Sequence, residues 1–179
     1  MPPSRRLSRV TKVTLALLVP AALLLSGCTS RKDVVETYAR EGTAARQDQR
    51  GTDAEAFFLS AVERARPLDA ATQSDALWRL GAFYREQGRF RDAVAPLTES
   101  LELGVRSGRI DRTDLARRRI ELAKAYAVLN RWNDGRNQLR DASEGLAGLS
   151  APEAADAREL IEVYRERLQG LGSSTDGLP

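Results

Sequence analysis

The chain has 179 residues, a formal charge of +3 and 42% apolar residues, values that suit one domain with an ordinary core and exclude a largely disordered protein. It has no histidine and one cysteine, Cys28, which excludes most nucleophilic triads, internal disulfides and cysteine metal clusters. The positive charge lies at the amino end. Residues 1–27 hold four basic residues and no acid, and the remainder holds 24 basic against 25 acidic residues. This balance gives no reason to expect nucleic acid as a partner.

The first predicted element is a secretory leader at residues 1–27. Its basic residues precede a mostly apolar stretch at 13–25, which is too short to cross the roughly 30 Å core of a bilayer. The sequence "LSGC" begins at the last residue of this stretch and ends at Cys28. It resembles the lipobox of bacterial lipoproteins. The resemblance implies cleavage before Cys28 and attachment of lipid to its thiol. The alternative is an ordinary leader with a chance cysteine.

Lipid on Cys28 would make residues 28–32 a short tether between a membrane and the folded part. Two or three acyl chains such as palmitate, as bacterial lipoproteins carry, hold a protein firmly to a membrane. Thr29 follows the cysteine, where lipoproteins kept at the inner membrane usually have Asp. The resemblance therefore implies the periplasmic face of the outer membrane, or the outer face of the cell membrane in an organism without an outer membrane.

Residues 33–169 have the pattern of a chain of helices. Apolar residues recur at helical spacing, as in Leu77, Leu80 and Tyr84, and no stretch alternates with period two for long. Predicted capping residues, each with an acid three positions later, are Thr52, Thr72 and Ser150. The predicted helices span 33–48, 53–65, 73–86, 90–105, 113–129, 134–146 and 152–169. Seven helices with short turns indicate an antiparallel array, followed by a flexible tail at 170–179.

Similar residues recur along this array at spacings of about 40 residues. The middle copy has Leu77, Leu80, Gly81, Tyr84, Gly88, Phe90, Ala93, Leu97 and Ser100. A copy 42 residues later has Leu122, Ala123, Tyr126, Asn130, Trp132, Gly135, Leu139 and Ala142. A weaker earlier copy has Tyr38, Gly42, Ala54, Phe58 and Ala61. From the first copy to the middle one the spacing is 46 residues in the first helix and 39 in the second, which predicts a longer turn in the first hairpin.

These positions resemble the tetratricopeptide repeat (TPR), a helical hairpin in which a small residue lets the two helices touch and a tyrosine fills the space between them. The resemblance implies an all-α fold, a short right-handed solenoid of about three TPR-like hairpins with a C-terminal capping helix at 152–169. The period exceeds the family's usual length of about 34 residues, so helices or turns must be longer. Pro96, inside a predicted helix, indicates a mild kink. The alternative is an unrelated helical bundle whose spacing agrees by chance.

Nothing in the sequence indicates catalysis. The carboxylates fall at caps and outer faces of the predicted helices, and no glycine-rich loop resembles a phosphate cradle. The basic segment "DRTDLARRR" at 111–119 is predicted to be a solvated helix face. We therefore expect no enzyme activity, no cofactor, no bound metal, no nucleic acid and no small-molecule substrate. An enzyme of the cell wall is the least favoured alternative.

The TPR resemblance implies instead a protein-binding groove, lined by the first helix of each hairpin. Its register places the following residues there: Trp78, Ala82, Arg85, Glu86, Arg117, Ile120, Lys124 and Ala127. Trp78 is the first candidate anchor, and packing against the neighbouring hairpin is its alternative role.

The predicted function is a lipid-anchored scaffold or adaptor that holds another envelope protein or peptide segment. Such a protein would assist an envelope assembly, secretion, pilus or wall-synthesis complex. The alternative is a structural envelope lipoprotein that self-associates through the same surfaces.

Overall fold

Seven α-helices make up residues 30–172, the part of the chain that the computed structural model describes. They are α1 (Arg31–Gln47), α2 (Gly51–Ala65), α3 (Ala70–Glu86), α4 (Phe90–Ser107), α5 (Arg112–Val128), α6 (Trp132–Gly145) and α7 (Ala151–Gly172). All seven predicted helices are present and the described residues contain no strand, which confirms the all-α, solenoid-like prediction. Within the same residues no helix is both long and apolar enough to cross a bilayer. The predicted leader, Cys28 and residues 173–179 lie outside this range.

The first helix begins earlier than predicted because its cap lies earlier. The Ser30 hydroxyl accepts a hydrogen bond from the Asp33 N–H at 3.2 Å, and the Asp33 carboxylate accepts one from the Ser30 N–H at 2.9 Å. This reciprocal pair is a capping box, and it satisfies two backbone donors that a helix start leaves free. Arg31 and Lys32, predicted to belong to the tether, are therefore in the first turn of α1.

Two of the predicted capping residues do not cap their helices. Asp69 caps α3, because its carboxylate accepts a hydrogen bond from the Thr72 N–H at 3.2 Å, so Thr72 is inside the helix and does not cap it. Helix α2 starts after Arg50, which makes no side-chain cap bond, so Thr52 is not a cap either. At the other end of the chain α7 continues to Gly172, beyond the predicted end at residue 169.

The helices form three antiparallel hairpins, α1 with α2, α3 with α4, and α5 with α6. The first helices of the hairpins begin at residues 31, 70 and 112, and α7 begins at residue 151, so the successive steps are 39, 42 and 39 residues. Helix α4 has 18 residues and α2 has 15, which accounts for the longer middle step. Helix α7 stands where a fourth hairpin would begin, packs against α5 and α6, and covers the end of the array as predicted.

The three hairpin turns have the same length and backbone shape. Each has three residues between its helices, and the middle residue has a left-handed backbone: Gln49 (φ 59°), Gly88 (φ 71°) and Asn130 (φ 59°). The first of these is neither glycine nor asparagine, so the sequence carries no turn signal there. The first hairpin turn is thus no longer than the others, and the prediction of a longer turn is wrong.

Close helix contacts at two glycines give the correct register of the first hairpin. A Cβ on Gly42 would lie 2.9 Å from the Phe58 ring, and a Cβ on Gly81 would lie 2.6 Å from Leu97 Cγ. Both the glycines and their partners are 39 residues apart. Gly42 therefore corresponds to Gly81, and the spacing in the first helix is 39 residues instead of the predicted 46. In the third hairpin Ala123 stands at the position of Gly81, which is 42 residues earlier.

The core extends along the array instead of filling a single centre. One cluster joins α1 to α5 around Phe58, Phe83 and Leu97, all at most 2% exposed. The next joins α5, α6 and α7 around Leu139 and Ile161. Each hairpin buries its apolar face against its neighbours, which is how stacked helical repeats are stabilised.

Candidate functional site

The first helices of the hairpins line an open cavity of about 790 Å³, which we call the groove. Its walls come from α1, α3 and α5, with Phe58 of α2 and Leu160 of α7 at its edges. The predicted groove residues that line it are Trp78, Ala82, Arg85, Glu86 and Arg117. These five residues, which come from α3 and from the amino-terminal half of α5, therefore lie together on one surface, as their positions in the repeat predicted.

The other predicted groove residues occupy different surroundings. Ile120 borders the groove but is only 1% exposed, and it belongs to the core cluster that contains Leu139. Lys124 donates a hydrogen bond to Glu121 at 2.6 Å and lies 5.1 Å from the ring centroid of Tyr164. Ala127 packs against the same core cluster as Ile120. Helix α7 covers this side of α5, so the groove ends before the carboxyl-terminal part of α5.

Trp78 combines the two roles considered for it. Its side chain is half-buried and packs against the core cluster around Phe58, Phe83 and Leu97, and it also lines the groove. The guanidinium carbon of Arg118 lies 5.4 Å from the indole ring centroid, within cation–π distance. The ring is therefore held in place on one side and available to the groove on the other.

Ion pairs join the first helices across the groove. They are Arg46–Glu86 at 2.8 Å and Arg79–Glu36 at 3.1 Å between α1 and α3, and Arg85–Glu121 at 2.5 Å between α3 and α5. Partly exposed pairs of this kind contribute about 0–1 kcal/mol each, so they add little to the stability of the array. Their effect is on the charge of the surface, because each of these arginines already has a carboxylate partner.

A buried polar cluster lies under the groove, where α3, α4 and α5 meet. The Ser74 hydroxyl donates to the Ser100 carbonyl at 2.7 Å, and the Ser100 hydroxyl donates to the Ser74 carbonyl at 2.8 Å. Arg118 of α5 donates to both hydroxyl oxygens, at 2.7 and 2.9 Å, and to the Asp75 carboxylate at 2.5 Å. Both serines are fully buried and Arg118 is 6% exposed. The cluster therefore bonds the second hairpin to the third with every hydroxyl satisfied.

The basic segment at 111–119 is only in part the solvated helix face that was predicted. Arg118 is buried, and Arg112 donates to the carbonyls of Gly145 and Ala147, both at 2.6 Å. Arg119 pairs with Asp141 of α6 at 3.2 Å. These three arginines thus bond α5 to its neighbours, although Arg112, like Arg117, remains exposed.

A second polar contact joins the first two hairpins at their turns. Arg89 donates to the Glu55 carboxylate at 2.7 Å, and the Tyr84 hydroxyl donates to the same carboxylate at 3.0 Å. The hydrogen bond from Arg89 lowers the pKa of Glu55 below its usual value of 4.5. Burial, together with the hydrogen bond to Glu55, raises the pKa of Tyr84. Glu55 is therefore held as an anion by structural partners and has no free proton to transfer.

The lowered pKa of Glu55 predicts an acid dependence of stability. The unfolded chain takes up this proton at a higher pH than the folded chain, so the contribution of Glu55 is present above about pH 4.5 and falls as the pH drops through the lowered folded pKa. We expect Glu55→Gln to flatten the acid limb of a plot of unfolding free energy against pH, measured by urea titration. Glu63→Gln, at an exposed carboxylate of the same helix, controls for the loss of one charge. Parallel acid limbs for wild type and Glu55→Gln would contradict this account.

The charged side chains that line the groove are already paired in the folded chain. The carboxylates of the ion pairs across the groove have arginine partners, and in residues 30–172 no group of acids could hold a metal ion. What the groove presents is a half-buried aromatic ring, a small residue at Ala82 and paired charges around them. Sequence reasoning found Trp78 and Ala82 but missed Ser74 and Arg118, which fix the ring and the adjacent helices.

Comparisons with known proteins agree with the geometry of the fold. No family model matches the chain, and no curated protein matches it in sequence. Several solved structures match it in shape. The N-terminal domain of stress-induced protein-1 from C. elegans has 17% identity and a TM-score of 0.58, with 74% of this chain and 98% of that one covered. The Arabidopsis OM64 TPR domain has 16% identity and a TM-score of 0.58, with 79% and 98% covered.

A third match is to the nearly identical TPR-like repeats of a putative kinesin light chain from Podosopora anserina. It has 14% identity and a TM-score of 0.62, with 87% of this chain and 82% of that one covered. At these identities the likeness shows the fold alone. This chain has a TPR-like fold, as its repeated residues predicted.

Proposed function

We propose that this chain is a protein-binding scaffold or adaptor whose groove holds a segment of another protein. The observation that carries the proposal is the groove itself, formed by the first helices of successive hairpins around Trp78 and Ala82. Stacked helical repeats bind extended or helical segments of other proteins on such surfaces. A non-catalytic role agrees with the pairing of the groove carboxylates to arginines. An enzyme of the cell wall is the less favoured reading.

We further propose that lipid on Cys28 anchors the protein in the cell envelope, at the periplasmic face of the outer membrane or, where there is none, at the outer face of the cell membrane. The support is the "LSGC" sequence after a short apolar stretch, with the basic residues ahead of it. The partner would then be another envelope protein in an assembly, secretion, pilus or wall-synthesis complex.

The lipid anchor is tested at the one native thiol. We expect Cys28→Ser to abolish incorporation of labelled fatty acid and to leave the unprocessed precursor, because the thiol is the acylation site. Metabolic labelling followed by electrophoresis measures both effects. Equal labelling of wild type and Cys28→Ser would show that Cys28 is not the lipid site.

A self-associating structural lipoprotein is the second candidate function, and the state of the purified protein distinguishes the two. The adaptor predicts a detergent-solubilised chain that stays monomeric over a wide concentration range and enriches a single envelope protein. Oligomers that grow with concentration, with no enriched partner, would favour self-association instead.

A further inference from the structure

A second open cavity, of about 720 Å³, lies between α1 and α2 at the end of the array where α1 begins. We call the surface formed by Arg31, Leu59, Arg64 and Arg66 around it the entry face. Because α2 runs antiparallel to α1, the last turn of α2 lies beside the first turn of α1. The fold thereby gathers arginines that are more than 30 positions apart in sequence.

The entry face combines positive charge with exposed apolar surface. Three arginines line the cavity against one carboxylate, Glu63, which pairs with Arg66 at 3.1 Å. Arg31 and Arg64 are exposed, and the Arg66 side chain is 72% exposed. Leu59 is 46% exposed among them. Exposed basic residues beside exposed apolar surface favour contact with an anionic lipid headgroup layer.

The position of the entry face along the chain points to the same ligand. Arg31 follows Cys28 by three residues, and three residues span at most about 10 Å even when fully extended. Attraction between exposed charges acts over a Debye length of about 10 Å at 0.1 M salt. If Cys28 carries lipid, Arg31 in the first turn of α1 therefore lies within electrostatic range of the membrane surface, and Arg64 and Arg66 line the same cavity as Arg31.

We propose that the entry face binds the anionic phospholipid headgroups of the membrane in which Cys28 is anchored. The inference rests on the proposed lipidation of Cys28. The guanidinium groups contact headgroup phosphates, for which arginine has a matching fork of donors, and Leu59 enters the layer between headgroups. This contact holds the array in one orientation on the membrane, with the hairpin turns after α1, α3 and α5 directed away from it.

The test uses the full lipidated chain with a single fluorescent label at an introduced cysteine. Acylation blocks Cys28, so Leu59→Cys and Val128→Cys each provide one reactive thiol. Val128 is 56% exposed at the end of α5, which runs parallel to α1, about 25 Å from the helix starts. The labelled proteins are reconstituted into vesicles of phosphatidylcholine with phosphatidylglycerol that contain a nitroxide-labelled lipid as quencher.

We expect the label at residue 59 to be quenched and the label at residue 128 to stay unquenched. The variant with Arg31, Arg64 and Arg66 all changed to Gln should reduce the first signal to the level of the second. The matched control changes Arg91, Arg136 and Arg140, exposed arginines of α4 and α6, to Gln and should keep the wild-type signal.

The outcomes separate this inference from the anchor on which it rests. Mass spectrometry first establishes whether Cys28 carries lipid. If the lipid is absent, both the proposed anchor and the proposed membrane contact of the entry face are overturned. With the lipid present, equal quenching at both positions shows that the entry face does not meet the membrane. If the label at residue 59 is still quenched in the variant with three arginines changed to Gln, the arginines do not recognise anionic headgroups. Equal quenching in vesicles of pure phosphatidylcholine would lead to the same conclusion. Shielding of residue 59 by a co-purifying protein instead of lipid contradicts the proposal as well.

Discussion

Gly81→Leu is expected to lower the free energy of unfolding by about 3 kcal/mol, at the upper end of the cost of overpacking a core. The reason is the close contact of α3 and α4. A Cβ at Gly81 would already lie 2.6 Å from Leu97 Cγ and 3.2 Å from the backbone nitrogen of the same residue. Leu97 is fully buried, so it cannot turn away without displacing its neighbours. Thermal and urea unfolding of the purified protein measure the effect.

The matched control for this change is Gly145→Leu. Gly145 is also helical, but no atom would lie within 4 Å of a Cβ at that position. We expect the melting temperature of Gly145→Leu to stay close to that of wild type, and that of Gly81→Leu to fall by roughly 6–12 °C. Equal melting temperatures for the two variants would show that the hairpin register around Gly81 is wrong.

Arg118→Met is expected to cost about 2–3 kcal/mol of unfolding free energy, the range for buried hydrogen bonds to a charged group. Methionine keeps much of the side-chain volume but removes the bonds to Ser74, Ser100 and Asp75. The two serines still bond each other's carbonyls, and Asp75, whose side chain is 56% exposed, can turn to water. The substitution therefore weakens the contact between the second and third hairpins. Urea unfolding and hydrogen exchange measure it.

Arg117→Met is the control at the neighbouring position. Arg117 is exposed and pairs with Asp114 one turn earlier on the same helix, a pair worth about 0.5 kcal/mol. We expect its unfolding free energy to stay near the wild-type value, and the third hairpin of Arg118→Met to exchange its amide hydrogens faster. A similar small loss in both variants would mean that the buried cluster does not hold the hairpins together.

The elements and the repeat were predictable from the sequence because both depend on local pattern. Helical spacing located all seven helices, and the small residues at Gly81 and Ala123 marked the positions where paired helices touch. The register of the first hairpin was missed for a physical reason. Its turn has Gln49 in the left-handed conformation where the middle hairpin has Gly88, so Gly42 was aligned with Gly88 instead of with Gly81.

The buried arginine could not be assigned from composition alone. Arginine is abundant in this chain and is usually solvated. One signal was nevertheless present, because residues 117–119 are three successive arginines on one helix. Successive positions are about 100° apart around a helix axis, so such a run covers more than half of the circumference. Ala116 and Ile120 are buried on the helix face opposite to Arg118, and Leu122, four residues after Arg118, is buried on the same face as Arg118. A helix that is packed on both of these faces places Arg118 inward.

The length of the groove depends on the contact between α7 and α5, which the repeated residues do not predict. The residues of α3 line the groove as predicted, because α3 has hairpins on both sides. On α5 the pattern predicted a groove surface that continues to Ala127, but α7 packs against this helix, and Ile120 belongs to the core. The capping role of α7 was predicted; which groove positions it would cover required the packed structure.

The central claim, that the groove binds another protein, is tested most directly by site-specific photocrosslinking in the native envelope. A photoreactive amino acid replaces Ala82, which lines the groove, or Asn137, which is exposed on α6 outside it. We predict that the probe at residue 82 forms a covalent adduct with one envelope protein and that the probe at residue 137 does not. Absence of any adduct at residue 82, or the same adducts from both positions, would contradict the claim.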